Sequence, residues 1–534
     1  MDRKGEAPPI IFTDDGWILS ASQPTVTVDD IQTKMIDGYA GTGGSFWWSI
    51  GDHEVYQFET QQGEIFGAGR TSFDDNLRSF VHSPTPGVMP RIAQNIRGLI
   101  EEVGGPMTAL TQLTREVGLP FFPRIRMNSH YDMDVEHPAY GCFRRENPQL
   151  LIGRPGESIS EGTLEWGIRT GLDFSFSKVR EHRLSIIYEV VERFDVDGVE
   201  LDFMRHPAFF RIDEAFGHRY LITDLIRDTR RRLDELSKER GKPLKLAVRV
   251  PPTLYDSMRI GLDVGDWISG RLVDIVVVGG GFIPFETPIG EFIAAASGTA
   301  CAVYGCIEAT VMADQRNLRA AVSLWRNAGA AGVYLYNFYT MSPEWNRQAA
   351  FELSDPAGLS KLDKRYELVR PRSYEGAGGH SVAFKYSSPV TQLPVSLLPD
   401  CLGDISTGPK FKMNIADDIE SSLIDGSLGE CSLRLHIEQN SAPPGILGVE
   451  LNGNILSPNA AVQISKWRRK GIPATFWVEY PASIQDQVQE GLTQQYALDP
   501  AWLMKGENTI RAWLDSTSVD PVVINAIEID VGYK

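Results

Sequence analysis

Cysteine and histidine are scarce in this chain, five and nine among 534 residues. The cysteines (Cys142, Cys301, Cys306, Cys401, Cys431) are scattered and odd in number. That excludes a dense disulfide framework and reads as free buried thiols, with a Cys401–Cys431 bridge left open. Neither a His-Glu-x-x-His nor a paired-cysteine spacing occurs, so no metal and no cofactor is expected. Long apolar runs are missing too, and no stretch reaches the roughly 18 residues a membrane-crossing helix needs. Positive charge is in deficit, with 52 Lys and Arg against 70 Asp and Glu and a net charge of -18. Such a surface repels phosphate backbones and anionic lipid, so neither nucleic acid nor a membrane is an expected partner. Glycine-rich phosphate loops are absent as well: 279–281 (Gly-Gly-Gly) lacks both the dinucleotide spacing and a Walker lysine. The polar N-terminus, residues 1–9, has no basic-then-apolar order. This fits a cytoplasmic protein, or a secreted or periplasmic one whose signal peptide has been removed.

What remains is an ordinary globular composition, 42% hydrophobic and 23% charged, enough for several domains or one large barrel with an appendage. Over the first two-thirds, strand-like runs alternate with helical patterns. The strands fall near 10–12, 44–50, 120–127, 198–203, 244–250, 273–278, 300–304 and 332–337. Helical periodicity marks 92–103, 107–117, 179–194 and 216–240, while 52–88 carries no clear pattern. Eight largely apolar strands separated by helices predict a (β/α)8 barrel over residues 8–372. Beyond 372 the period drops to two, with polar turns such as Asn452-Gly453-Asn454 between short strands. A jelly-roll-like β-sandwich is expected over 373–534.

Active sites of such barrels lie at the C-terminal ends of the strands. In the fourth strand the period of two puts Glu200 and Asp202 on one face, away from Val199, Leu201 and Phe203. Two inward carboxylates are costly unless paired or used. Asp202, nearer the strand end, is expected to reach substrate, and Glu200, one layer deeper, to pair with Arg249 of the fifth strand. Glu308 follows the seventh strand and supplies the second carboxylate that glycoside hydrolysis requires. In the third strand, alternation sends Arg124, Arg126 and Asn128 toward the mouth, followed by His130. Arg205, Tyr304 and Asn337 join these as expected substrate contacts. Aromatic residues gather near strand ends (Trp17, Trp47, Trp48, Tyr304, Tyr336, Phe338, Tyr339), where their faces suit sugar rings.

Three segments carry a resemblance to a known group: 126–130 (Arg-Met-Asn-Ser-His), 197–207 (Asp-Gly-Val-Glu-Leu-Asp-Phe-Met-Arg-His-Pro) and 332–339 (Gly-Val-Tyr-Leu-Tyr-Asn-Phe-Tyr). Together they resemble the family-10-like glycosyl hydrolase barrels of predicted bacterial polysaccharide-degrading proteins. The resemblance covers roughly residues 10–350 and implies a (β/α)8 glycosidase acting on carbohydrate. Family-10 glycosidases carry an Asn-Glu pair where this chain has Leu201-Asp202. The expected catalytic pair is therefore taken from the residues themselves, as Asp202 and Glu308. A non-catalytic carbohydrate-binding barrel and a polysaccharide lyase are the alternatives.

Overall fold

The eight strand-like runs of the first two-thirds become eight parallel strands that close on themselves. They are β1 (Ile10–Asp14), β2 (Ser45–Ser49), β3 (Phe121–Arg126), β4 (Gly198–Asp202), β5 (Lys245–Val250), β6 (Ile275–Val278), β7 (Ala302–Glu308) and β8 (Gly332–Tyr336). Each pairs with its sequence neighbours, and β1 with β8, to complete the barrel. The computed structural model describes residues 7–52, 54–74, 77, 87–131, 133–204, 206–281, 283–308, 314–338, 341–369, 391–397, 408–438, 447–456, 463–469, 489–514 and 522–534.

Helices between the strands cover the barrel. The principal ones are α1 (Val88–Val103), α2 (Pro106–Glu116), α3 (Ser177–Arg193), α4 (Ala215–Arg240), α5 (Ile289–Ala296), α6 (Gln315–Ala328) and α7 (Pro343–Ser354). Proline opens α2, where its missing N–H costs nothing. Outward residues of the strands pack beneath the helices: Val199, Leu201 and Phe203 are fully buried there, each contributing about 1.5–3 kcal/mol. Inward residues of the lower barrel form a separate cluster that includes Ile11, Trp47, Phe122, Ile275 and Tyr304. The unpatterned insertion after β2 contains three two-residue strands, Gly51–Asp52, Val55–Tyr56 and Glu64–Ile65.

The C-terminal region holds two antiparallel sheets. One comprises β9 (Lys364–Val369), β10 (Val395–Leu397), β12 (Leu428–Glu438), β15 (Gln463–Arg469), β16 (Gln489–Leu498) and β18 (Val522–Tyr533). The other comprises β11 (Lys410–Ile415), β13 (Leu447–Leu451), β14 (Asn454–Leu456) and β17 (Gly506–Leu514). Leu368, Leu433, Phe411 and Val449 from the two sheets share one core. The β13–β14 hairpin turns at Asn452 and Gly453, both at positive φ (50° and 84°), as a two-residue hairpin demands. β9 precedes residue 373 yet pairs along its whole length with β18. The expected junction at 372/373 and the expected strand near 474–480 lie outside the described residues, as does Cys401. Cys306 and Cys431 are buried free thiols, but Cys142 is exposed, correcting the expectation that all thiols are buried. Among the described residues no helix is long and apolar enough to cross a membrane.

Candidate active site

Parallel register decides which inward side chains share a layer of the barrel. Arg124 stands beside Glu200, Arg126 beside Asp202, and Asp202 beside Arg249. On the facing wall Cys306 is level with Tyr334, and Glu308 with Tyr336. The upper half of the barrel is thus filled by charged and hydroxyl-bearing side chains that are almost completely enclosed.

Asp202 and Glu200, two residues apart, have different surroundings. Asp202 Oδ2 lies 3.4 Å from Arg249 Nη1 and 3.7 Å from Arg124 Nη1, and its Oδ1 accepts the Met204 N–H at 3.0 Å. Glu200 faces the Tyr334 hydroxyl, 2.9 and 3.0 Å from its two oxygens, with Arg124 Nε at 3.9 Å. The expected Glu200–Arg249 ion pair is corrected: β4–β5 register sets Glu200 beside Ala247 and gives the arginine to Asp202. Burial first, then repulsion from Asp202, push the Glu200 carboxyl up to about 8. Arg124, Arg249 and the Tyr334 hydrogen bond oppose that rise. At neutral pH Glu200 is therefore the protonated member of the pair.

A second group of charges rims the mouth. Asp15, just past β1, pairs through Oδ1 with Arg124 and at 2.9 Å with Arg126, and its Oδ2 accepts the Tyr336 hydroxyl at 3.3 Å. Arg126 also reaches Asp52 at 2.6 Å. Tyr336 lies beneath two guanidiniums, Arg249 at 4.2 Å and Arg124 at 4.8 Å from its ring centre, a stacking that favours cations.

Glu308 is the last residue of β7, not a loop residue beyond it, and is 1% exposed. Asn337 Nδ2 donates to its Oε1 at 3.2 Å. Asn337 itself holds a left-handed backbone (φ 62°) at the end of β8. Burial pushes the Cys306 thiol up to about 12; Arg249 opposes this, while Asp202, Glu200 and Glu308 all add to it.

Other expected contacts lie elsewhere. Trp47 is fully buried below the mouth, stacked on Phe122 at 4.7 Å, and donates to Ser45 Oγ at 2.7 Å. Tyr304 donates to the Pro8 carbonyl at 2.7 Å, at the opposite end of the barrel. Asn128 has its amide committed, giving to the Leu172 and Ala208 carbonyls and accepting the Ser129 and Leu172 N–H groups. His130 is buried edge-on against His206, whose Nδ1 accepts the His130 N–H at 3.2 Å. Trp48 and Phe338 belong to the helix-facing core. Arg205 and Tyr339 lie outside the described residues. Asp15, Asp52 and Tyr334 were not among the expected contacts. For Asp15 a signal existed, since it continues the inward parity of Ile11 and Thr13.

No protein-family model matches the chain, and no curated protein matches it. The likeness to family-10-like barrels therefore rests on the three segments alone. Among solved structures, similarity is found to the GH36 alpha-galactosidase AgaA of Geobacillus stearothermophilus, with raffinose bound, at 13% identity and a TM-score of 0.37. That alignment covers 93% of this chain and 56% of the galactosidase, so the chain spans little more than half its length. The maltogenic alpha-amylase AmyB of Thermotoga neapolitana aligns at 9% identity and a TM-score of 0.37, over 97% of this chain and 100% of the amylase. An alpha-L-fucosidase of Paenibacillus thiaminolyticus aligns at 12% and 0.39, over 66% and 48%. At such identities and scores none of them informs the chemistry of this chain. Among the described residues no group of three His, Cys, Asp or Glu side chains is arranged to hold a metal ion.

Proposed function

We infer that the chain is a glycoside hydrolase that cleaves a poly- or oligosaccharide with Asp202 and Glu308. The observation that supports this reading is that two enclosed carboxyl groups stand at the C-terminal ends of β4 and β7 in one closed barrel. Hydrolysis of a glycosidic bond needs one carboxyl group to protonate the leaving oxygen and another to attack the anomeric carbon or activate water.

The different surroundings suggest the division of labour. Asp202, clasped by Arg124, Arg249 and the Met204 N–H, is fixed as the anion that meets positive charge developing on the sugar ring. Glu308, whose Oε1 accepts the Asn337 amide N–H, is the second carboxyl group of the reaction. Protonated Glu200 keeps a second negative charge away from Asp202 and anchors Tyr334; it is a positioning residue. Arg126 and Asn337 supply hydrogen bonds to sugar hydroxyls at the rim.

A panel of plant, algal and bacterial polysaccharides tests the reading through release of reducing ends. D202N and E308Q should each lower kcat by at least about a thousandfold with Tm preserved, in line with loss of a nucleophile or general acid. Near-normal turnover of either variant would remove that residue from the mechanism. An unsaturated, ultraviolet-absorbing product would make the protein a lyase, and gel retardation without any product would make it a binding protein.

A further inference from the structure

Behind the wall of the mouth lies a second buried charge cluster that the proposed hydrolysis does not use. Arg144, on the short helix Cys142–Glu146, is fully buried. Its Nη1 donates to the Ser129 carbonyl at 2.8 Å, while Nε and Nη2 are buried without a hydrogen-bond partner. The guanidinium carbon lies 5.5 Å from the Tyr140 ring centre. Arg183 of α3, also buried, is a second guanidinium acting on Arg144, and its Nε likewise has no partner.

The negative charge at hand is already taken. Glu54 is bound by Arg183 Nη2, and His182 Nε2 lies 2.9 Å from its other oxygen. Asp52 is held by Arg126 at 2.6 Å. Burial would raise the Glu54 carboxyl, but Arg183, His182 and Arg144 hold it down at about 2. Two buried guanidiniums thus lie near two carboxylates, Glu54 and Asp52, each bound directly by another cation, while two nitrogens of Arg144 hydrogen-bond to neither. A buried guanidinium N–H left without an acceptor is costly for a fold to carry.

We propose that Arg144 binds a small monovalent anion, a halide such as chloride, through its Nε and Nη2. The enclosing residues set the size. Ser129, Tyr140 and Glu54 about Arg144 are each no more than 5% exposed, which shuts out a sugar, a phosphate ester or a peptide. The site also reaches the mouth: Arg144 holds the Ser129 carbonyl, and the next residue, His130, donates its N–H to His206. An anion at Arg144 thereby fixes the loop after β3. This inference is independent of the reaction proposed for Asp202 and Glu308.

The test compares sodium chloride and sodium bromide with sodium gluconate at constant ionic strength. Binding to the native state alone raises Tm saturably, so both halides should raise it by a few degrees and gluconate should not. R144M should lose the halide response. Crystals grown in bromide should show an anomalous peak beside Arg144 Nε and Nη2. An equal rise with gluconate, a halide response that survives in R144M, or an ordered water with no bromide peak would each overturn the proposal. If R144M fails to fold, the wild-type titration and the bromide map decide alone.

Discussion

The hydroxyl of Tyr334 and the carboxyl of Glu200, 134 residues apart in the chain, meet at 2.9 Å inside the barrel. The contact joins β8 to β4 across the interior and sits one layer below Asp202. It also ties the stability of the barrel to the charge state of a single carboxyl group.

That tie predicts a pH dependence. The Glu200 carboxyl, ordinarily at 4.5, is raised to about 8 in the folded chain. Between those values the native state holds a proton that the unfolded chain releases, so this group's stabilising contribution falls as pH rises and is lost through about 8. E200Q removes the titration. Its stability relative to the wild type should therefore climb between about pH 5 and pH 8, by up to roughly 1.4 kcal/mol per pH unit. Denaturant melts at intervals across that range measure the difference, and a difference independent of pH would contradict the assigned protonation.

Asn337 combines backbone and side-chain roles that two substitutions can separate. Its left-handed φ of 62° is easy for glycine but costs alanine about 1–2 kcal/mol. Both N337A and N337G lose the 3.2 Å contact to Glu308. Activity on a confirmed substrate should fall equally in both, while Tm should fall further in N337A. Normal activity in N337G would show that Glu308 does not need the amide.

Gly305 allows β7 to lie against the ring of Trp325 on α6. A Cβ added there would sit 2.3 Å from Trp325 Cε3, on a buried indole with little room to yield. G305A should destabilise the chain by about 1–3 kcal/mol or more. The double variant G305A/W325A should lose less than the sum of its parts, since the truncated side chain makes room. Additive losses in thermal melts would mean that the clash is relieved elsewhere.

The barrel was legible because period, length and number of the strands are local properties. The partners inside it were less so. Alternation correctly turned Glu200, Asp202, Arg124 and Arg126 inward. Which carboxylate Arg249 meets depends on the β4–β5 register, which sequence periodicity does not contain. Asn128 has the right parity, but loop carbonyls from Leu172 and Ala208 claim its amide. The seventh strand was expected over residues 300–304, with Glu308 just beyond it. It continues to Glu308, and the glycine is there to admit an indole from α6.

The same helix touches both halves of the molecule. Trp325 of α6 presses on β7, while Ala320, also on α6, belongs to the core of the C-terminal sheets. Asn317 donates to the Arg365 carbonyl of β9 at 3.2 Å, and Asn327 to the Ala416 carbonyl at 2.9 Å. The strand that ends in Glu308 therefore rests on a helix whose other side is built into the sandwich. Heat should accordingly melt barrel and sandwich in one cooperative calorimetric transition. Cutting the sandwich away should broaden and lower that transition and cost turnover, although no atom of the proposed catalytic pair would have been touched.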